Sequence, residues 1–175
     1  YVGDVTEHDT SALTLAILKG VLLPMVGENV NYVNASRLAA DRGITVVEAK
    51  ASRTEEFTNL VAVEVSSNGT ILTLQGTLSA RREPRIFKID RTFVEATPEG
   101  YMLILKNHDR PGLIGHLGTL LGAAKINIAG MSNGRDHPGG TAMTVINVDS
   151  HVPPEVLEQV RRLEQHAVRG DRKLW

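Results

Sequence analysis

Cysteine is absent from the 175-residue sequence, and its absence excludes a disulfide framework, a thiolate nucleophile and a sulfur-ligated metal site. A chain without cysteine suits the reducing cytosol, so we expect a cytoplasmic protein. A large excess of charge of one sign is absent as well, because the formal net charge is −1. The composition therefore predicts no general electrostatic attraction to nucleic acid or to a membrane surface.

Long apolar runs are also missing. A transmembrane helix needs about 20 consecutive apolar residues, and the most apolar segment here is Ala12–Val26. That segment is interrupted by Thr14, Lys19 and Pro24, and no positively charged, cleavable leader precedes it. We therefore expect no membrane partner. Because the chain starts at Tyr1 instead of methionine, we expect a fragment or a processed product.

A catalytic constellation is absent too. His108 and His116 fit no metal-binding spacing and have no carboxylate or hydroxyl partner at a catalytic spacing. The carboxylates are scattered, without the pairing that general acid–base catalysis needs. The glycines from Gly112 to Gly118 fall at three-residue spacing, which does not match the G-x-G-x-x-G dinucleotide fingerprint. We predict no catalytic residue, no metal ligand and no cofactor on this chain.

What is present indicates a folded α+β protein. Hydrophobic residues make up 42% and charged residues 22%, which is ordinary for a globular chain, and the length accommodates one large domain or two small ones. The turn-rich segment Thr97–Gly100 predicts a boundary that separates residues 1–97 from residues 98–175.

The first half contains a clear hairpin signal. Asn68-Gly69 lies between two runs of alternating apolar residues, and both residues accept the positive φ of a type I′ turn. The other elements predicted in this half are a strand at Tyr1–Val5, a helix capped within His8–Ser11 and limited by Gly20 and Pro24, a helix at Ala35–Arg42 capped by Asn34 and ended by Gly43, and strands at Ile44–Ala49, Arg85–Asp90 and Arg91–Ala96.

In the second half a strand at Tyr101–Lys106 leads into a polar corner, and Pro111 is predicted at the first helical position. The helix carries glycines at Gly115, Gly118 and Gly122, each of which costs about 1 kcal/mol relative to alanine. Glycine there suggests the close approach of another backbone or of a ligand. The elements that follow are a strand at Ile126–Ile128, a loop at Gly134–Gly140, a strand at Thr141–Asp149, a helix opened by Pro153–Glu155 and a strand at Val168–Trp175. This order, βαββαβ, predicts a ferredoxin-like layout.

Two stretches of the second half resemble the ACT domain, a small regulatory module that binds amino acids. They are the D-R-P-G corner at Asp109–Gly112 and the K-I-N-I strand entry at Lys125–Ile128. In the first half, KGVLLPMVGENVNYVNASRLAADRGI, the Asn-Gly hairpin and GTLSARREPRIFKID resemble the allosteric substrate-binding domain of long-type D-3-phosphoglycerate dehydrogenases. In that family this domain lies between the catalytic region and a terminal ACT domain, so NAD is expected on upstream catalytic domains.

The resemblance implies that L-serine, or a similar small amino acid, binds between two copies of the ACT domain. Asn107 and Asp109 match the polar positions of the family's corner, and Asn127, from the neighbouring subunit, matches its strand position. Asp109 would bind the ligand ammonium, and the N–H groups of Gly112 and Leu113 would face its carboxylate. The alternatives are that Asp109 only caps the helix and that Asn127 only satisfies backbone groups.

The family also implies an anion site in the first domain, and Arg85 matches one of its basic positions. Two departures weaken this expectation, because Ala96-Thr97 and Asn147 stand where the family often has further basic residues. Arg85 belongs to a basic run that also contains Arg81, Arg82, Lys88 and Arg91. The alternative for this run is a solvated surface.

We therefore expect a regulatory region that forms a homo-oligomer through its ACT domain and passes the L-serine signal to catalytic domains upstream. Iron–sulfur L-serine dehydratases carry paired domains of this kind, so a subunit of such a lyase is a second interpretation. A ligand-free oligomerisation module is the third.

Overall fold

The computed structural model describes residues 1–52 and 58–167, with side chains as far as residue 163. The chain is a mixed α+β protein with two antiparallel sheets, which confirms the predicted fold class. It divides into two compact units, residues 1–61 and residues 62 onwards. The helices are α1 (Ser11–Val26), α2 (Ala35–Ala40), α3 (Leu113–Ala123) and α4 (Pro154–Ala167). The strands are β1 (Val2–Gly3), β2 (Asn59–Ser67), β3 (Thr70–Leu78), β4 (Pro84–Ile89), β5 (Thr92–Ala96), β6 (Tyr101–His108), β7 (Ile128–Arg135) and β8 (Thr141–Val148).

The first unit has a small core between α1 and α2. Its buried apolar side chains are Leu18, Leu22, Val30, Ala35 and Ala39. Helix α1 continues past Gly20 and Pro24, so the predicted limit on its length is wrong. Pro24 lies in the last turn, where its missing N–H removes only the bond to the Gly20 carbonyl.

The extended helix is more apolar than the sequence indicated. The run Ser11–Asn29 has a mean hydropathy of 1.4 and is long and apolar enough, by composition alone, to cross a membrane. Only 11% of that window is buried inside the protein, although Leu18 and Leu22 do lie in the core of this unit. The absence of a membrane partner stays a prediction.

The strand predicted at Ile44–Ala49 does not form, and within the described residues no strand pairs with this segment. The Glu48 carboxylate accepts hydrogen bonds from the hydroxyls of Thr10 and Thr14, and the Ala49 carbonyl accepts one from the Tyr1 nitrogen. The N-terminal strand is also shorter than predicted. It ends at Gly3 (φ 87°) and a 3₁₀ turn follows, so only a two-residue strand remains to pair with the start of β2.

The second unit begins with the predicted hairpin. Strands β2 and β3 are hydrogen-bonded neighbours, and Asn68 (φ 50°) and Gly69 (φ 76°) take the positive φ values that a type I′ turn requires. Strands β4 and β5 continue the sheet, as the sequence predicted.

The other sheet of this unit has the order β6-β8-β7 and apolar groups on both faces of its central strand. On one face Ile146 and Val148 of β8 pack with Leu117 and Leu121 of α3 and with residues of α4. On the opposite face Met143 and Val145 pack against buried side chains of β4 and β5, namely Ile86, Ile89, Val94 and Ala96. Sheet and helices follow the ferredoxin-like order through α4, and the predicted strand at residues 168–175 lies outside the described residues.

Helix α3 starts two residues later than predicted. Gly112 is its N-cap residue and has a left-handed backbone (φ 95°). A left-handed residue cannot belong to a right-handed helix, so Pro111 stands in the turn before α3 and is not its first residue. The outer face of α3 carries Gly115, Gly118 and Gly122. A Cβ added at any of them would have no atom of another described segment within 4 Å.

Because Gly118 has open space beside it, Gly118→Ala is expected to raise the free energy of unfolding by about 1 kcal/mol. Urea denaturation at a protein concentration where the chain is monomeric measures this. A destabilised variant under those conditions would show that another part of the same chain packs against the outer face of α3.

Candidate functional site

The corner after β6 holds Asn107 in a polar network inside the protein. Asn107 is only 5% exposed, and its Nδ2 donates to the His108 carbonyl at 2.9 Å. The fully buried Thr144 of β8 has its hydroxyl 3.1 Å from Asn107 Oδ1 and 2.7 Å from Asn133 Oδ1. Asn107 therefore links the corner to β7 through Thr144. Its direct contact with a ligand stays a prediction.

Asp109 is anchored at the same corner by two donors. Its Oδ2 accepts a hydrogen bond from the guanidinium of Arg135 at 2.7 Å and one from the N–H of Gly139 at 3.1 Å. The Arg135 guanidinium, followed by the Gly139 N–H, holds the pKa of Asp109 below its usual value, so this carboxylate is ionised at neutral pH. Helix α3 has no side-chain cap, which rules out the alternative that Asp109 is its N-cap.

Gly112 and Leu113 form the N-terminal end of α3, as predicted. Gly112 is exposed, and Leu113 directs its side chain into the core at 9% exposure. Within the described residues no side chain caps α3, so its first N–H groups have no capping partner there. They could therefore bind an anionic group.

Asn127 lies one residue before β7, is exposed, and donates from Nδ2 to the Asp149 carboxylate at 2.7 Å. The strand register puts it at the far end of the sheet from the corner. Ile128 pairs with Val148, whereas Asn107 and Arg135 both pair with Ala142. Seven residues of strand separate the two ends, roughly 23 Å. One chain does not bring Asn127 to Asp109, so a shared site requires a second copy.

Arg85 is already engaged by neighbouring groups. Its guanidinium donates to Thr97 Oγ1 and to Glu83 Oε2, each at 2.6 Å. Asn147 donates from Nδ2 to the Thr97 carbonyl at 2.9 Å. Arg85 and the two departures, Thr97 and Asn147, thus lie together, but Glu83 pairs with the one cation among them. Anion binding by Arg85 stays a prediction.

Three residues of this region were missed at the level of sequence. Arg135 falls in the predicted loop but ends β7. No motif links Asp149 to Asn127, and no motif marks Thr144 within its strand. Among the residues whose side chains the structure describes, 1–52 and 58–163, no group of three or more His, Asp or Glu side chains could hold a metal ion.

Comparison with known proteins assigns both halves of the chain. The family model of the D-3-phosphoglycerate dehydrogenase intervening domain matches residues 1–90, and that of the ACT domain matches residues 101–165. These ranges and the two compact units divide the chain at different points, so the boundary at residues 97 and 98 stays a prediction.

Three relatives illustrate the match, and each carries the name D-3-phosphoglycerate dehydrogenase. The chain is 41% identical to the protein of Archaeoglobus fulgidus over 164 residues, 36% to that of Methanocaldococcus jannaschii over 163, and 32% to that of Bacillus subtilis over 160. The alignments cover 93%, 93% and 91% of this chain, and 31%, 31% and 30% of the relatives. The chain belongs to the family of the D-3-phosphoglycerate dehydrogenase intervening domain, followed here by an ACT domain, which confirms the resemblance found in the sequence.

Proposed function

We propose that this chain is the regulatory region of a cytoplasmic D-3-phosphoglycerate dehydrogenase and that its ACT domain binds L-serine between two copies of the chain. The name of the relatives and the presence of an ACT domain support this proposal. Catalysis and NAD binding would belong to domains outside this sequence, because this chain carries no dinucleotide fingerprint.

The observation that carries the proposal is the position of β7. Within the described residues β7 is hydrogen-bonded to β8 on one side only, so its other edge can accept a strand. If two β7 strands pair antiparallel about a two-fold axis, the start of one strand meets the end of the other. Asn127 then lies beside Asp109 of the partner subunit. One chain keeps Asp109 and Asn127 at opposite ends of its sheet, whereas such a dimer would bring the two residues together in one site.

The chemistry of the two halves is complementary to a small amino acid. Asp109 supplies a carboxylate for the ammonium, the N–H groups of Gly112 and Leu113 face the carboxylate, and Asn127 offers both a donor and an acceptor. Because both subunits contribute, L-serine would stabilise the dimer, and its binding would be coupled thermodynamically to association. That coupling would carry the signal to upstream domains.

Titration calorimetry with L-serine tests this proposal. The Asn127→Ala variant is expected to bind about tenfold to a hundredfold more weakly, because a hydrogen bond to a charged ligand group contributes about 1.5–3 kcal/mol. Asn29→Ala, which removes an exposed asparagine of the first unit, is the matched control and should bind as the unaltered chain does. In parallel, sedimentation should show that L-serine promotes association. No heat at millimolar L-serine, with no change in association, would contradict the proposal.

The same titration separates the alternatives. An oligomerisation module without a ligand would associate through β7 but bind no L-serine. The relatives named above are dehydrogenases, which favours the dehydrogenase over a dehydratase subunit. At Arg85, a phosphate-like anion would have to displace Glu83, which already pairs with the guanidinium at 2.6 Å.

A further inference from the structure

The ion pair between Asp109 and Arg135 stands at the candidate corner and has unused binding capacity on both partners. We infer that this pair is the charge-recognition element of the site: Arg135 binds the carboxylate of an α-amino acid while Asp109 binds its ammonium. The inference rests on the proposed function, because it assigns the ligand contacts of the same site. It adds a specificity-determining residue, Arg135, to those that the resemblance implied.

Hydrogen bonding leaves one carboxylate oxygen of the pair available. Oδ2 of Asp109 already accepts from Arg135 at 2.7 Å and from the Gly139 N–H at 3.1 Å. Oδ1 has no hydrogen-bond partner in the part of the chain that the structure describes. The Asp109 side chain is 21% exposed, so solvent or a ligand can reach it.

The guanidinium has even more unused capacity. An arginine side chain has five N–H donors, and a single one of them, on Nη1, is engaged here within the described residues. The Arg135 side chain is 52% exposed. Its remaining donors form the planar fork that suits a carboxylate.

The strand register explains why this cation is the one at the corner. Arg135 ends β7 and pairs with Ala142 of β8, and Asn107 at the end of β6 pairs with the same residue from the other side. Directly paired residues of a sheet project to one face. Arg135 is therefore fixed by the sheet beside the corner, whereas the exposed Arg110 lies in the irregular segment that follows β6.

A zwitterion matches this pair in both signs. An α-amino acid carries its ammonium and carboxylate on one carbon, so the two charges are adjacent, as they are in the protein. When its ammonium faces Asp109 and its carboxylate faces Arg135, the ligand makes a charge-assisted hydrogen bond to each of these residues. A ligand that lacks either charge leaves Asp109 or Arg135 without an ionic partner from the ligand. The pair therefore discriminates zwitterions from ligands that carry only one charge.

The test compares ligands with and without a carboxylate. L-Serine, L-alanine, glycine and L-serinamide, which lacks the carboxylate, are titrated into the unaltered chain and into Arg135→Gln and Arg135→Lys. Arg110→Gln is the matched control for a neighbouring charge. Arg135→Gln should weaken the binding of the amino acids about tenfold to a hundredfold and leave L-serinamide unchanged. Arg135→Lys, which keeps the charge but not the fork, should give a smaller loss for the amino acids alone. Arg135→Lys also provides the test if Arg135→Gln does not fold.

Three outcomes would overturn the inference: equal losses for L-serine and L-serinamide, which would make Arg135 a positioning residue only; equal losses in Arg110→Gln; and no binding of any amino acid of the panel. If L-alanine or glycine binds in an Arg135-dependent manner but L-serine does not, the proposed function fails at the identity of the ligand and the charge pair stands.

Discussion

Replacing Gly134 by alanine is expected to lower the free energy of unfolding by about 3 kcal/mol, at the upper end of the range for overpacking. A Cβ at this position of β7 would collide with the backbone carbonyl oxygen of Phe93 in β5, and the Thr92 Cγ2 would lie only 3.0 Å away. A backbone carbonyl cannot rotate out of the way as a flexible side chain can. The strand β5 would have to move off β7, which would disturb the Glu95 N–H bond to Ser132 Oγ at 2.9 Å.

Gly130→Ala provides the control on the same strand and the same face. A Cβ there would meet the Asn147 side chain at 3.9 Å, an ordinary contact. Urea denaturation of both variants should therefore show a large loss for Gly134→Ala and a change within about 0.5 kcal/mol for Gly130→Ala. Equal stabilities for the two variants would mean that β5 does not pack on β7.

Asp109→Ala is expected to reduce the affinity for L-serine about a hundredfold, the largest loss at the candidate site. The substitution removes the group that would bind the ammonium and releases both Arg135 and the Gly139 N–H from their shared acceptor. Calorimetry measures the loss. Asp109→Asn, which keeps the size of the side chain but not its charge, should lose nearly as much. If the asparagine variant bound L-serine normally, the negative charge would have no part in recognition.

The same residue predicts a dependence of stability on pH. The Arg135 guanidinium and the Gly139 N–H lower the pKa of Asp109 in the folded chain. A lowered pKa stabilises the fold at pH values above the unfolded value, near 3.9, and this contribution is lost as the pH falls through the folded pKa. The stability difference between the unaltered chain and Asp109→Asn should therefore be constant above about pH 5 and shrink below pH 4. A difference that did not change in acid would contradict the ionic role.

Local signals in the sequence predicted local structure well. The Asn68-Gly69 turn was predictable because both residues accept positive φ whatever surrounds them. The start of α3 was not, because Pro111 and Gly112 both favour helix boundaries and only the left-handed φ of Gly112 decides between them. The prediction of a strand at Ile44–Ala49 was wrong because strand-forming residues alone do not provide a neighbouring strand.

The candidate site was predictable only in part, because its contacts are distant in sequence. The family resemblance singled out Asp109 and Asn127, and the structure adds the charges that face them, Arg135 and Asp149. Residues 26 and 22 positions away become neighbours only through the register of β7 and β8. The polar link from Asn107 to Thr144 depends on the same register, which no short motif encodes.

The hairpin of β4 and β5 lies over the face of β8 that carries Met143 and Val145. A fragment that begins after residue 97 would lack this hairpin, and its apolar β8 face would be exposed to water. Such a fragment should aggregate or bind another protein through this face, whereas a fragment that starts at Ala62 should remain monodisperse. Any transfer of this ACT domain into another protein would have to include the β4–β5 hairpin.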